Sequence, residues 1–338
     1  MTVPRWVLAV VGVVVLVAAV DLGLVLVARN GAGDAGAEPG GTVAVIDPVG
    51  AQVVARVGVG AQPTLVATGF GGVWVLNKGE GTVTHIDPHS HRVVSTLEPD
   101  ATANGLAVGA GGVWFVGRDR TVTSAPLEEA KLERIDPATG TVDRTFDTST
   151  GASFVAASRS AVWSTGYLGG HVRGAARSDA ATGELRRVAL GIYGDLIAAA
   201  DDAVYYVATI GDRVARVSTK TGKQTNEMTL VTDASLAAGN VPANPTGVVV
   251  GGGSLWISES DGSVLRVDRS LGGIAARIPA CSNALALAYG GGAVWTACGN
   301  GTVARIDAAT NRVSAVVPVG RLPRGIAAGE GAVWVTLN

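Results

Sequence analysis

The sequence predicts an all-β protein in which seven copies of a four-stranded unit close into a ring behind one N-terminal apolar helix. Three observations carry this. Seven short aromatic-centred strands recur along the chain, seven turn motifs interleave strictly with them, and one long apolar run precedes both series. Composition agrees. Glycine supplies 48 of 338 residues and charged residues only 16%, against a usual share of roughly 25%, as expected of tight turns joining half-buried strands. With 26 Lys and Arg against 28 Asp and Glu, a net charge of -2 and no basic run, the composition argues against a nucleic-acid partner.

Residues 6–28, WVLAVVGVVVLVAAVDLGLVLVA, form the apolar run. As a helix they would reach about 35 Å, enough for a hydrocarbon core of about 30 Å, so residues 1–28 are expected to be a single-pass transmembrane anchor or an uncleaved signal. Asp21 admits three readings: an intramembrane functional carboxylate, the end of a signal-peptide core, or a residue tolerated near the interface. The last is preferred because the apolar pattern resumes as LGLVLVA. A cleaved signal is the rival, with Ala35-Gly36-Ala37 as a small-residue site. Arg5 and Arg29 flank the run evenly and give no orientation. Residues 29–41 contain Gly31, Gly33 and Gly36 in a formal GxGxxG spacing, but that motif works only between a strand and a helix. The segment reads as a flexible Gly-rich linker.

From residue 42 the repeat takes over. Trp74, Trp114, Trp163, Tyr205, Trp256, Trp295 and Trp334 centre the aromatic strands, 39 to 51 residues apart. Asp47, Asp87, Asp136, Asp179, Ser218, Asp268 and Asp307 mark the turns. One unit reads as strand a (TLVATGF), a Gly-Gly turn, strand b (GVWVLN), a loop, strand c (TVTHID), a Pro-containing turn and strand d (RVVSTL). Four strands in roughly 40 to 45 residues is the signature of a propeller blade, so residues 42–338 are expected to form a seven-bladed β-propeller. The first landmark is an Asp and the last a Trp. Closure should therefore be two-plus-two, with strands c and d of the last blade taken from residues 42–47 and 53–59, and a and b from the C-terminus.

Units such as GGVWVLNKGEGTVTHIDPHSHRVV and GAVWTACGNGTVARIDAATNRVS resemble those of the YVTN-type and virginiamycin B lyase-like seven-bladed propellers. The resemblance spans everything after residue 41. It implies the fold, and for lyases a catalytic His at the start of one strand a, a Glu at the end of the following strand b, and a divalent cation. Glu259 in LWISES suits the second position, but the matching strand start is Asn244-Pro245-Thr246, which offers no imidazole base. Non-catalytic binding is therefore preferred over a metal-dependent lyase or hydrolase, and no cofactor or metal is expected.

The seven copies also act as an internal control. Two residues before each landmark stand His85, Arg134, Arg177, Arg216, Arg266 and Arg305, with Val45 the exception, which suggests surface or inter-blade charge pairing. His85 thus fills a repeat slot and His89 and His91 flank a turn, so HIDPHSH does not read as a metal site. Length variation marks two insertions, residues 118–131 in blade 2 and about 229–241 before strand a of blade 5. Both belong to the b-to-c and d-to-a connections, which share one face of a propeller, conventionally the top. Loops on that face are the expected carriers of function. Ten residues before each aromatic, a ring at the channel mouth reads Thr64, Asn104, Ser153, Asp195, Thr246, Leu285 and Arg324; it is either a ligand site or the lining of a wet channel. The rim would include Asn77, Lys78, Arg118, Asp119, Tyr167, His171, Asp212, Glu259 and Asp261. Cys281 and Cys298 bracket one a–b hairpin and are expected to form a disulfide, implying an oxidising compartment. The propeller is accordingly expected outside the cell membrane, with a protein or small-molecule ligand on its top face.

Overall fold

A computed structural model describes residues 40–99, 101–119, 130–148, 151–168, 172–230 and 243–338. The expected anchor (6–28), nearly all of the linker, and most of both insertions lie outside these residues. Among the described residues no helix is long and apolar enough to cross a membrane.

The described chain is all strand and turn. It opens with β1 (Gly41–Asp47) and β2 (Gln52–Val59). Blade 1 is β3 (Pro63–Gly69), β4 (Gly72–Asn77), β5 (Thr82–Asp87) and β6 (Arg92–Leu97). Blade 2 is β7 (Ala101–Gly109), β8 (Gly112–Asp119), β9 (Ala130–Asp136) and β10 (Thr141–Thr148). Blade 3 is β11 (Gly151–Ala157), β12 (Ala161–Leu168), β13 (Val172–Asp179) and β14 (Leu185–Val188). Blade 4 is β15 (Leu196–Ala199), β16 (Ala203–Val207), β17 (Arg213–Ser218) and β18 (Gln224–Thr229). Blade 5 is β19 (Pro245–Gly251), β20 (Ser254–Glu259), β21 (Ser263–Asp268) and β22 (Ile274–Pro279). Blade 6 is β23 (Ala284–Gly290), β24 (Ala293–Cys298), β25 (Thr302–Asp307) and β26 (Arg312–Pro318), and the chain ends with β27 (Pro323–Gly329) and β28 (Ala332–Leu337).

Six blades are sequential antiparallel sheets, and the seventh has the order β2-β1-β28-β27. Its central pairing sets Val45 opposite Trp334 and Val43 opposite Thr336. The hydrophobic C-terminal strand is thus interior to a sheet, which removes the exposed edge that would invite aggregation. The inner strands β3, β7, β11, β15, β19, β23 and β27 touch one another in that cyclic order, β27 meeting β3, and so line the central channel.

Burial explains the composition of each strand. The second strand of a blade lies between two neighbouring blades, so β4, β20 and β24 are buried at every residue, while the outer strand β2 alternates exposed with half-buried positions. The six tryptophans of the repeat are fully buried. Four indole N–H groups reach back five residues to the backbone, among them Trp114 to the Gly109 carbonyl at 2.9 Å, Trp256 to Gly251 at 3.0 Å and Trp334 to Gly329 at 3.1 Å, while Trp163 donates to the Ser158 hydroxyl at 3.0 Å. In five blades the a–b turn has positive φ at both central residues, as at Glu330 (50°) and Gly331 (81°), the geometry that suits a two-residue hairpin.

The basic slot serves a purpose beyond the charge pairing expected of it. Each member sits directly across the sheet from the blade's aromatic; His85, Arg177, Arg266 and Arg305 stack on it, while Arg134 and Arg216 form the expected charge pairs with Asp143 and Asp202. His85 lies flat on Trp74 with centroids 4.0 Å apart, and the guanidinium carbons of Arg266 and Arg305 stand 5.1 and 5.7 Å over Trp256 and Trp295. Inter-blade bonding occurs as well, from Arg266 to the Ala308 carbonyl at 2.9 Å. In the closing blade the slot holds Val45, and His91 of blade 1 packs edge-on against Trp334 at 5.6 Å instead.

The landmark Asp organises the c–d turn. The Asp307 carboxylate accepts from the backbone N–H groups of Ala309 and Thr310 at 3.1 and 2.8 Å, an Asx-type turn; Asp87 does the same with His89 and Ser90. Backbone bonds from Ser90 and Thr310 hold the Asp87 and Asp307 carboxyls below their ordinary range. Their stabilisation is present above that range and is lost as pH falls through the lowered values.

Deleting residues 329–338 removes β28 and unpairs β1 and β27 together. The expected outcome is loss of the single cooperative urea transition, followed by tryptophan fluorescence, and not fraying of one end; a truncated chain with an unchanged m-value would contradict the latch.

Candidate functional site

The expected channel-mouth ring coincides with an irregularity in the inner strands. Between Pro63 and Leu65 the pairing of β3 with β4 shifts, leaving Thr64 as a bulge. The same shift leaves out Asn104, Ser153, Thr246, Leu285 and, with Gly325, Arg324. Bulges re-aim side chains and end regular pairing, which accounts for polar residues on otherwise apolar strands. Asp195 precedes β15, its N–H bonded to the Val207 carbonyl at 2.8 Å.

These seven sit one per blade. Some of their polarity goes into holding the scaffold. The Asp195 carboxylate accepts from the Thr209 hydroxyl at 2.5 Å, and the Thr246 hydroxyl donates to the Ala284 carbonyl of blade 6 at 2.7 Å. Of the rim residues, Asn77 is fully buried and its amide donates to the hydroxyls of Thr82 and Thr84, closing the b–c connection of blade 1. Arg118 and Tyr167 belong to β8 and β12, where backbone pairs set Arg118 opposite Thr102 and Tyr167 opposite Gly151. His171 lies outside the described residues.

Three rim residues do come together. Glu259 ends β20, Asp261 follows in the b–c connection, and Asp212 lies in the corresponding connection of blade 4. The Glu259 side chain is fully buried, and Asp212 is 8% exposed. Arg277 and Ser263, neither anticipated from sequence, bind Glu259 and Asp261 together, and Asp212 stands near enough for its charge to act on Glu259. The Arg277 guanidinium reaches the Glu259 carboxylate at 2.7 Å and that of Asp261 at 3.0 Å. The Ser263 hydroxyl lies 2.8 Å from Glu259 Oε2 and 2.6 Å from Asp261 Oδ1, and Arg277 donates to its oxygen at 2.7 Å. Arg277 comes from the outer strand β22, opposite Leu265. Its alternation there gives it the appearance of an ordinary solvent-facing residue.

Electrostatically the cluster is under-compensated. Glu259 Oε1 and Asp212 Oδ1 are buried with no hydrogen-bond partner among the described residues, a costly state for a carboxylate. Burial pushes the Glu259 carboxyl above its ordinary value, Ser263 and Arg277 oppose that, and the charges of Asp261 and Asp212 reinforce it. Asp212 is raised too, by burial, with Arg277 opposing. The arrangement can hold and exchange a proton or accept a donor from a ligand. Its positive charge is supplied by a guanidinium, and among the described residues no group of three His, Cys, Asp or Glu side chains is placed to hold a metal ion.

Two structural features converge on this cluster. Cys281 and Cys298 form a disulfide with Cα atoms 6.2 Å apart, and the N–H groups of Ala280 and Cys281 donate to the Gly262 carbonyl at 3.0 and 3.1 Å. Gly262 has φ +89°, and a Cβ there would lie 1.7 Å from the Cys281 carbonyl oxygen, so the approach of the two loops requires glycine. The ends of the blade 5 insertion meet here as well. Leu230 N–H bonds to the Asp212 carbonyl at 2.7 Å, and Asn244 pairs with Ser260 through both backbone and side chain.

No family model matches the chain, and no curated protein matches it. Among solved structures it is similar to the computationally designed Ika8 protein, at 17% identity and a TM-score of 0.58, with 88% of this chain and 91% of that one covered. The likeness is one of fold.

Two outcomes are expected. The unfolded chain releases the Glu259 proton in the ordinary carboxylate range and the folded chain at higher pH, so this contribution to stability is present below the ordinary value and is lost as pH rises through the raised one. Glu259→Gln should flatten that segment of the profile of unfolding free energy against pH. Arg277→Ala, which leaves two carboxylates without their cation, should destabilise by roughly 1–3 kcal/mol at neutral pH, discounted because Arg277 is half-exposed, and by less as the acids protonate. Separately, the denatured, unreduced protein should titrate no free thiol, and the double variant Cys281→Ala/Cys298→Ala should lose about 3 kcal/mol.

Proposed function

We propose that this protein is a membrane-anchored, extracytoplasmic propeller of the YVTN-type, virginiamycin B lyase-like kind that binds a ligand or protein partner through its top face without catalysis. The observation that carries the reading is the convergence on one top-face sector, at blades 4 to 6, of a charged cluster with buried carboxylate oxygens awaiting donors, a disulfide that braces the adjoining loop, and both ends of the largest blade 5 connection. A braced, charged cluster at the ends of a long connection is a common design for recognition. The buried carboxylate oxygens favour a ligand bearing cationic or N–H donor groups.

Placement outside the membrane draws on the apolar run 6–28 and on the disulfide, which persists in oxidising compartments. Catalysis by Glu259 is the second reading, and one observation favours it: a buried carboxyl with raised proton affinity stands where the resemblance implies a proton-transfer Glu. Against it, Asn244-Pro245-Thr246 carries no imidazole, and Arg277 already occupies one oxygen of Glu259.

Proximity labelling of the intact chain on cells provides the test. The variant Asp261→Lys/Arg277→Glu should lose its labelled partners while a charge change at Thr310 on the opposite face keeps them; equal labelling by all three would remove the top face from the reading. Calorimetric titration with Mg²⁺ or Ca²⁺ addresses the second reading, since tight binding abolished by Glu259→Gln would support the enzyme.

A further inference from the structure

The c–d turns of blades 3 and 4 lie on the face opposite the cluster and flank a cleft of about 730 Å³. Its walls are basic. Arg187 projects from the outer strand β14, Lys220 and Lys223 from the blade 4 turn, and Arg177 lies deeper, 5.8 Å over Trp163.

The acids along the cleft are already engaged. Asp179 accepts from the N–H groups of Ala181 and Thr182, each at 3.0 Å, and Glu184 takes two bonds from Arg186 at 3.0 and 2.9 Å. Arg187, Lys220 and Lys223 form no ion pair among the described residues.

The repeat shows that this is a local departure. Six blades place Asp at the turn landmark; blade 4 places Ser218 there, and its turn carries two lysines, as STKTGK. One acid is removed and two cations are added at the spot where the neighbouring blade presents Arg186-Arg187. In a chain of net charge -2, such a concentration of one sign focuses anions.

From these observations we propose that the blade 3–blade 4 cleft is a second binding site, for a soluble extended anion carrying two or more phosphoryl groups. Single exposed ion pairs are weak, so a ligand held by cations spread over two blades must itself carry several charges, and guanidinium forks with ammonium groups suit phosphoryl oxygens. The volume exceeds what one phosphate fills. A bilayer on the side of the N-terminal segment is a poorer fit. The chain joins the propeller at Gly41, whose N–H bonds to the Gly60 carbonyl on the top face, away from this cleft.

The experiment uses the full chain in neutral detergent with inorganic tripolyphosphate as probe. Binding is expected at about 50 mM salt and should weaken steeply by about 300 mM. The variant Arg187→Glu/Lys223→Glu should bind about tenfold or more weakly, the scale of one lost charge-assisted bond, with thermal unfolding like that of the unaltered chain. Lys78→Glu on the top face should change little. The proposal is overturned if the double variant binds as the unaltered chain does, if Lys78→Glu weakens binding equally, or if soluble short-chain phosphatidylglycerol binds the cleft more tightly than tripolyphosphate. Should the double variant misfold, Lys220→Gln alone must still reduce affinity and its salt dependence.

Discussion

The second strand of every blade is buried on both faces because a blade stands on either side of it, and that condition can be met seven times only if the ring closes. Closure is therefore the constraint on which the packing depends. The sheet β2-β1-β28-β27 meets it by joining the two ends of the propeller in one hydrogen-bonded ladder. Trp334 is buried like the tryptophans of the other blades, although its cross-strand neighbour comes from the start of the chain. Where the closing blade lacks a basic residue to stack on that tryptophan, a histidine from the adjoining blade covers it.

A closed ring leaves its two faces free to differ. The top face gathers loops whose lengths vary between blades, and there the protein tolerates a buried carboxylate pair, a guanidinium shared between acids, and a disulfide. Burying acids with incomplete partners costs free energy, and the rigid blades and the crosslinked loop of blade 6 hold the cluster in place. The opposite face consists of short turns of nearly uniform geometry. Chemistry there departs from the repeat by substitution at fixed positions, as at Ser218, Lys220 and Lys223, and not by insertion.

Much of the fold was legible because repetition multiplies a weak signal. One GVWV strand says little, but seven aromatic strands interleaved with seven turns exclude other readings of the period. Repetition also explains what was only partly legible. The basic slot was legible as a slot, yet its stacking on the aromatic depends on cross-strand register, where Trp256 faces Arg266. The mouth residues Thr64, Asn104 and Thr246 were found by counting, but that each is a bulge follows only from the pairing. Glu259 and Asp261 were legible as rim acids. Arg277 and Ser263, which tie them together, carry no signature beyond an ordinary strand pattern.

The sequence by itself determined the number of blades, the pairing of Cys281 with Cys298 across one hairpin, and the strands from which the closing blade is made, since each follows from spacing along the chain. The tertiary structure alone decided which charges meet. Asp212, Glu259 and Arg277 belong to two blades, and Arg187 and Lys223 likewise to two blades. Electrostatic interaction falls with distance through space, and folding sets those distances independently of separation along the chain.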